Sequence, residues 1–75
     1  MKATLEFNLP DDNVEFQLAT NAARWYNVAW DIDQYLRSQT KYAPDSMSQE
    51  VYDALSKTRD QLREIMTDNG VNFDM

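Results

Sequence analysis

Residues 21–37 read NAARWYNVAWDIDQYLR, and this stretch decides how the rest of the chain is arranged. It contains both tryptophans and two of the four tyrosines. Apolar residues recur in it at alternating spacings of three and four, which is typical of one face of an α-helix. The stretch therefore predicts the middle of a long helix, and we expect the other segments to cover its apolar side.

This predicted helix carries two adjacent apolar stripes. The first stripe consists of Leu18, Ala22, Trp25, Ala29, Ile32 and Leu36, and the second of Phe16, Ala19, Ala23, Tyr26 and Trp30, ending at Asp33. Two stripes make an apolar face that is wider than one partner helix needs. We expect the first stripe to meet a second helix of the chain and the second stripe to border a further contact.

Proline and glycine residues indicate where the helices begin and end. Pro10 suits the first turn of a helix, and Pro44 disfavours helix at the residue before it, so the first helix is predicted over 11–41. A second helical pattern follows and ends before Gly70, the only glycine of the chain, at a position where a left-handed residue commonly ends a helix. The second helix is predicted over 48–69.

The two ends of the chain alternate between apolar and polar residues. KATLEFNL near the start has this period of two, and VNFDM at the end repeats it over a shorter length. Such alternation is typical of half-buried strands, so strands are predicted over 2–8 and 71–74. The resulting fold class is α+β but mostly α, with one domain over 1–75: a long antiparallel helical hairpin in the order β-α-α-β.

Composition limits the means of stabilisation and the partners. The chain has 75 residues, no cysteine, no histidine and a net charge of −6. Its core is marginal at this length, disulfides and thiolate or imidazole metal sites are excluded, and self-association as a homodimer is the device left open. We predict no cofactor and no metal. Acidic charge repels nucleic acid and anionic membranes and suits a basic partner.

Targeting signals are not visible in the sequence. The first 20 residues lack the apolar run of a signal peptide, and no stretch reaches the length of a membrane span. We therefore expect no membrane contact and a location in the cytoplasm.

The paired aspartates in Asp31-Ile32-Asp33 do not predict a metal site. On a helix they lie about 200° apart, so they cannot share one ion. Asp33 at the edge of the aromatic stripe could be a partly buried carboxylate with a raised pKa. Pairing with Arg37 at i+4, or with an arginine from the second helix or a second subunit, is the favoured interpretation.

Catalytic motifs are absent from the sequence. A single glycine excludes a glycine-rich phosphate loop, and no G-x-S-x-G, H-E-x-x-H or C-x-x-C occurs. The protein is therefore predicted not to be an enzyme. Nine aromatic side chains (three Phe, two Trp and four Tyr) are more than so small a chain is expected to bury. We assign the excess to an interaction surface of Phe16, Tyr26, Trp30, Asp33 and Arg37.

Four segments carry a resemblance to a known group of proteins. They are MKATLEFNLP at 1–10, EFQLA at 15–19, WDIDQYLR at 30–37 with KY at 41–42, and TRDQLREI at 58–65. Together they resemble a family of small accessory proteins encoded by tailed bacteriophages. The resemblance implies expression in the cytoplasm of a host bacterium, and it supplies no functional residues.

The predicted function is therefore that of a non-enzymatic phage accessory protein that binds a bacterial host protein, with inhibition of a host defence as one specific role. Two alternatives stay open. One is an acidic DNA mimic or a small regulator of nucleic-acid-binding proteins, although seven Lys and Arg dilute the acidic surface. The other is a purely structural homo-oligomeric protein.

Overall fold

A computed structural model describes residues 1–74, and all of their regular structure is helical. Helix α1 covers Asn13–Thr20, α2 covers Ala22–Lys41 and α3 covers Gln49–Asp68. The predicted α+β class is therefore wrong, since the described part of the chain contains no strand. The helical hairpin itself is observed: α2 and α3 pack along each other in opposite directions, and α1 extends α2 beyond the end of α3.

The predicted strand over 2–8 is wrong because the segment finds no strand to pair with. Leu5 is 78% exposed and Leu9 is 56% exposed, so the alternating residues do not form the buried face that a strand requires. Phe7 alone packs on a helix, with its ring 5.6 Å from that of Phe16 in an edge-to-face arrangement. The alternation of apolar residues here brings one side chain to α1 rather than forming a sheet.

The single helix predicted over 11–41 is divided at Asn21, where φ is −101° and ψ is 8°. The side-chain amide of Asn21 donates a hydrogen bond to the Gln17 carbonyl at 2.8 Å, and the hydroxyl of Thr20 donates to the Phe16 carbonyl at 2.9 Å. Side chains that compete for helix carbonyls commonly bend a helix. Backbone bonds continue through the break, because the Trp25 amide still donates to the Asn21 carbonyl at 3.1 Å.

Helix α3 has defined ends. Ser48 caps its start by accepting a hydrogen bond from the Val51 amide at 3.2 Å. At its other end Gly70 has a φ of 75°, as its position in the sequence predicts. The amide of Gly70 donates to the Thr67 carbonyl and that of Val71 to the Met66 carbonyl, each at 2.9 Å. This pair of bonds is the Schellman motif, and it turns the tail back toward α2.

The molecule is elongated and has a small interior. Its extents are 55 × 28 × 20 Å. Among the described residues only Leu36 and Met66 are buried apolar residues, and Asp33 is the one buried charged residue. Within residues 1–74, no helix combines the length and the apolarity needed to cross a membrane. The fold therefore leaves most of its apolar side chains at the surface.

Candidate interaction site

The centre of the hairpin is an ion triad around Asp33, whose side chain is 0% exposed. One carboxylate oxygen accepts hydrogen bonds from Nε of Arg59 and Nε of Arg63, both at 3.0 Å. The other accepts from Nη2 of Arg59 at 3.2 Å and Nη2 of Arg63 at 3.0 Å. Both guanidinium groups are thus bidentate, the geometry that gives the strongest pairing with a carboxylate. The prediction that Asp33 pairs with an arginine of the second helix is confirmed, and the pairing with Arg37 is wrong.

The pKa of Asp33 is set by two opposing effects. Desolvation by burial raises this pKa, but the hydrogen bonds from Arg59 and Arg63, together with their positive charges, lower it from the usual 3.8 to about 2. The carboxyl group is therefore ionised at neutral pH, and the raised pKa that an acid or base would need is not found. The hydrogen bond to Asp33 is also the main cause that raises the pKa of Arg63.

This lowered pKa predicts that the protein loses stability in acid. A carboxyl group with a lower pKa in the folded state stabilises the fold above its unfolded pKa, and that stability is lost as the pH falls through the folded value. The window here is from 3.8 down to about 2, and the loss is about 2 kcal/mol of unfolding free energy. Urea denaturation at a series of pH values measures it. Asp33→Asn should remove this part of the pH dependence, and an unchanged slope in that variant would contradict the assignment.

A second cluster forms where the tail returns to the hairpin, around Phe73. Its ring lies edge-to-face with Trp30 at 5.2 Å and with Tyr26 at 5.8 Å. The guanidinium of Arg63 lies over the same ring at 5.5 Å, and the Tyr26 hydroxyl donates to the Phe73 carbonyl at 3.3 Å. The strand predicted over 71–74 is therefore wrong: the tail is held by one aromatic side chain, not by a backbone ladder.

An apolar cleft of about 650 Å³ opens beside this cluster, where α2 runs past the end of α3. We call it the end cleft. It is lined by Leu18, Ala22, Ala23, Trp25, Tyr26, Asn27, Ala29, Met66, Val71 and Asn72. None of the described residues that line it is charged, and the alanines leave room for another side chain to approach the helix backbone.

The two predicted stripes are divided differently from the expectation. Trp25 and Ile32 were assigned to the contact with the second helix, but they are 62% and 46% exposed. Asp33 from the other stripe makes that contact instead. The reason is rotational: Asp33 and Leu36 are the buried residues of α2, and a hairpin that packs along them leaves Trp25 and Ile32 to one side of the interface.

The five residues predicted to form an interaction surface occupy different environments. Phe16 contacts Phe7, and Tyr26 and Trp30 contact the tail. Arg37 is exposed. Asp33 is enclosed by its own chain. A role in binding stays a prediction for all five.

Phe73 and the end cleft were missed because the tail was interpreted as a strand. The signal available was the Asn69-Gly70 stop, since a Schellman motif reverses the chain and brings the next apolar residues back onto the helix. No three His, Cys, Asp or Glu residues within 1–74 come close enough together to hold a metal ion.

The geometry defines an all-helical protein: a hairpin joined by an internal ion triad, extended by a short helix, with open apolar surfaces at one end. No protein-family model, curated protein or solved structure matches the chain.

Proposed function

We propose that this protein is a non-enzymatic accessory protein that binds a bacterial host protein, and that the end cleft receives an apolar side chain of that partner. The observation that carries the proposal is the cleft itself, an uncharged opening of about 650 Å³ flanked by Trp25, Tyr26 and Met66. Aromatic and methionine side chains are enriched at protein interfaces. A cleft with a floor of alanines suits a bulky anchor residue, the kind that dominates binding energy.

The surroundings of the cleft support a protein partner. Leu18, Trp25 and Val71 at its rim are each more than half exposed. Contiguous exposed apolar side chains of this kind mark interaction sites in soluble proteins. The net charge of −6 favours encounter with a basic partner. That the partner is a bacterial protein follows from the resemblance to phage accessory proteins, and a host-defence component is one partner that would fit.

The test is capture from bacterial lysate with matched variants, followed by titration of the purified partner. Ala22→Arg places a long charged side chain in the cleft, and Gln61→Arg adds the same charge on the exposed surface of α3 away from it. Arginine has nearly the helix propensity of alanine and glutamine, so both helices should persist. We expect Ala22→Arg to weaken binding of the captured protein about tenfold or more, and Gln61→Arg to leave it unchanged. Equal affinities for the two variants would overturn the proposal.

The salt dependence of binding distinguishes an apolar interface from the alternative function, that of an acidic DNA mimic. A partner held in the apolar cleft should bind with nearly the same affinity at high salt. A DNA mimic should capture nucleic-acid-binding proteins whose binding falls steeply with salt. Strongly salt-sensitive capture that is insensitive to Ala22→Arg would favour the mimic.

A further inference from the structure

The outer side of α1 and α2 carries a row of side chains at heptad spacing, of which all but Asn21 are exposed. Its members are Val14, Leu18, Asn21, Trp25, Val28, Ile32 and Tyr35, separated by alternating steps of four and three. We call this row the outer seam. Such spacing is the repeat of positions a and d in a coiled coil. It continues across the break at Asn21, so both helices present the same side.

The outer seam is unpaired in one copy of the chain. The exposed fraction of its apolar members ranges from 46% at Ile32 to 65% at Val14. None of the seven positions is charged, although 27% of the chain is. A groove of about 380 Å³ lies along its first half and is lined by Val14, Gln17, Leu18, Asn21, Arg24, Trp25 and Val28. The row thus offers both projecting side chains and a depression that could receive them.

Helix α3 adds apolar residues on the same side of the hairpin. Trp30 and Arg63 both contact Phe73, so they face one side. Ile32 and Ile65 each follow these residues by two positions, which rotates them by about 200° to the other side. Ile65 is 50% exposed. Ile65 therefore adds one exposed apolar side chain of α3 to the side on which the outer seam lies.

The surface area indicates how much of this side needs a partner. The chain exposes 6610 Å², whereas a compact monomer of 8.8 kDa exposes roughly 4,800 Å². Its radius of gyration is 17.6 Å, against about 11 Å for a compact domain of this length. The excess of about 1,800 Å², part of which belongs to the N-terminal segment, falls in the range of about 1,000 to 2,500 Å² per subunit that obligate homodimers bury.

We infer that the outer seam binds a second copy of this chain, giving a homodimer in which the two hairpins pack side by side. The seam carries no acidic residue, so it is not complementary to a basic partner. It is complementary to an identical seam, which is uncharged and has the same heptad spacing. The seam shares Leu18 and Trp25 with the rim of the end cleft, so the two proposals are separated by variants at residues that belong to only one surface: Ile32 for the seam and Ala22 for the cleft.

The charges that flank the seam set the direction of the two copies. Arg24 and Asp31 occupy the same heptad position, one repeat apart, beside the seam. In an antiparallel pair, this heptad position faces the same heptad position of the second copy. When Trp25 lies opposite Val28 of the second copy, Arg24 therefore faces Asp31 of the second copy. Symmetry forms this pair twice. A parallel pair would set the acidic starts of the two first helices together, which like-charge repulsion disfavours. The structure therefore favours the antiparallel dimer.

Sedimentation equilibrium at micromolar concentration tests the dimer. We expect a species of twice 8.8 kDa for the natural chain. Ile32→Glu puts an unpaired carboxylate into the seam and should weaken dimerisation about a hundredfold. Asn27→Glu adds the same charge about 140° around the helix and should leave dimerisation unchanged. A monomeric natural chain, or equal effects of the two variants, would overturn the inference.

Two further measurements test the dimer without relying on Ile32→Glu, which could also disturb folding. The chain has no cysteine, so Val28→Cys introduces a single thiol at the seam. A bismaleimide cross-linker with a short spacer should join two copies through it, and should not join copies of Asn27→Cys, whose thiols point away from the seam. Arg24→Asp should weaken the dimer about tenfold, and the exchange Arg24→Asp with Asp31→Arg should restore it. Failure of the exchange to restore dimerisation would contradict the antiparallel direction.

Added salt distinguishes self-association from binding of a basic partner. Each copy carries a charge of −6, so the copies repel one another and screening should strengthen the dimer. A complex with a basic partner should weaken under the same change. The two flanking Arg24–Asp31 pairs are exposed and contribute little, so a dimer that dissociates steeply as salt rises would contradict an uncharged seam.

Discussion

The variant Asp33→Ala is expected to lose about 3 to 5 kcal/mol of unfolding free energy, as is typical when one partner of a buried ion pair is removed. The substitution leaves Arg59 and Arg63 directed at one enclosed position with no anion between them. Their like charges repel, and four guanidinium hydrogen bonds are lost. Because native proteins have only about 5 to 15 kcal/mol of stability, this loss is a large fraction of the total and should move the unfolding midpoint to much lower urea. Urea denaturation followed by circular dichroism measures the loss.

Two further variants identify the cause of this loss. Asp33→Asn keeps the shape of the side chain and some of its acceptors, so it should lose less stability than Asp33→Ala. Replacing the whole triad by Asp33→Leu, Arg59→Met and Arg63→Met removes all three charges together, and such replacements are often neutral or stabilising. We expect the triple variant to regain most of the stability. A loss below about 1 kcal/mol for Asp33→Ala would show that the triad contributes little.

The contrast between these variants shows what the triad does for the fold. Leu36 and Met66 are the only buried apolar residues within 1–74, so apolar packing leaves many alignments of α2 against α3 with similar energy. A carboxylate that must bind two arginines at once allows only one alignment of the two helices. We therefore expect the triad to set the register of the hairpin, which is the best supported role for buried charges.

The helices could be predicted from the sequence because their signals are local. The end of α3 follows from Asn69-Gly70, and the long periodic stretch around Trp25 identifies α2. The break at Asn21 was missed because Thr20 and Asn21 look like ordinary residues of a polar helix face. Their effect depends on whether their side chains bond to carbonyls of the preceding turn, which periodicity does not report.

The strands were predicted wrongly because alternation is a local pattern and a sheet is not. Leu5 and Phe73 have the right period, but a strand is stable only when another strand supplies its hydrogen bonds. The two segments are also short and terminal, where regular structure is least secure. Their aromatic residues found helix surfaces to pack on instead.

The triad has a signal in the sequence that becomes clear only when the two helices are considered together. Arg59 and Arg63 stand at i,i+4, where like charges on one helix face destabilise it. Leu62 and Met66 place the same face toward the hairpin interface. Two stacked cations at an apolar interface indicate an anion on the facing helix, and Asp33 is the acidic residue at the edge of the opposite stripe. Combining the two helices would have identified the triad, whereas each helix considered alone suggests solvated charges.

The triad and the tail are connected through Arg63. Its guanidinium binds Asp33 at 3.0 Å and also lies over the ring of Phe73. The arginine is half exposed, so the tail forms one wall of its site. Undocking the tail would admit water to the guanidinium and weaken its attraction to Asp33. The stability of the hairpin should therefore depend on a residue outside any helix.

Phe73→Ala is accordingly expected to lose about 3 kcal/mol of unfolding free energy, because it removes two edge-to-face pairs, a cation–π contact and the apolar burial of the ring. Phe73→Leu keeps most of the apolar volume and loses the ring interactions, so it should be intermediate. Asn72→Ala removes only the hydrogen bond that the Asn72 side chain accepts from the Asp74 amide, so it should lose much less stability than Phe73→Ala. Thermal unfolding measures all three. The coupling to Arg63 is measured by a double-mutant cycle with Arg63→Gln: if the losses from Phe73→Ala and Arg63→Gln simply add, the tail docks on the aromatic residues alone and does not support the triad.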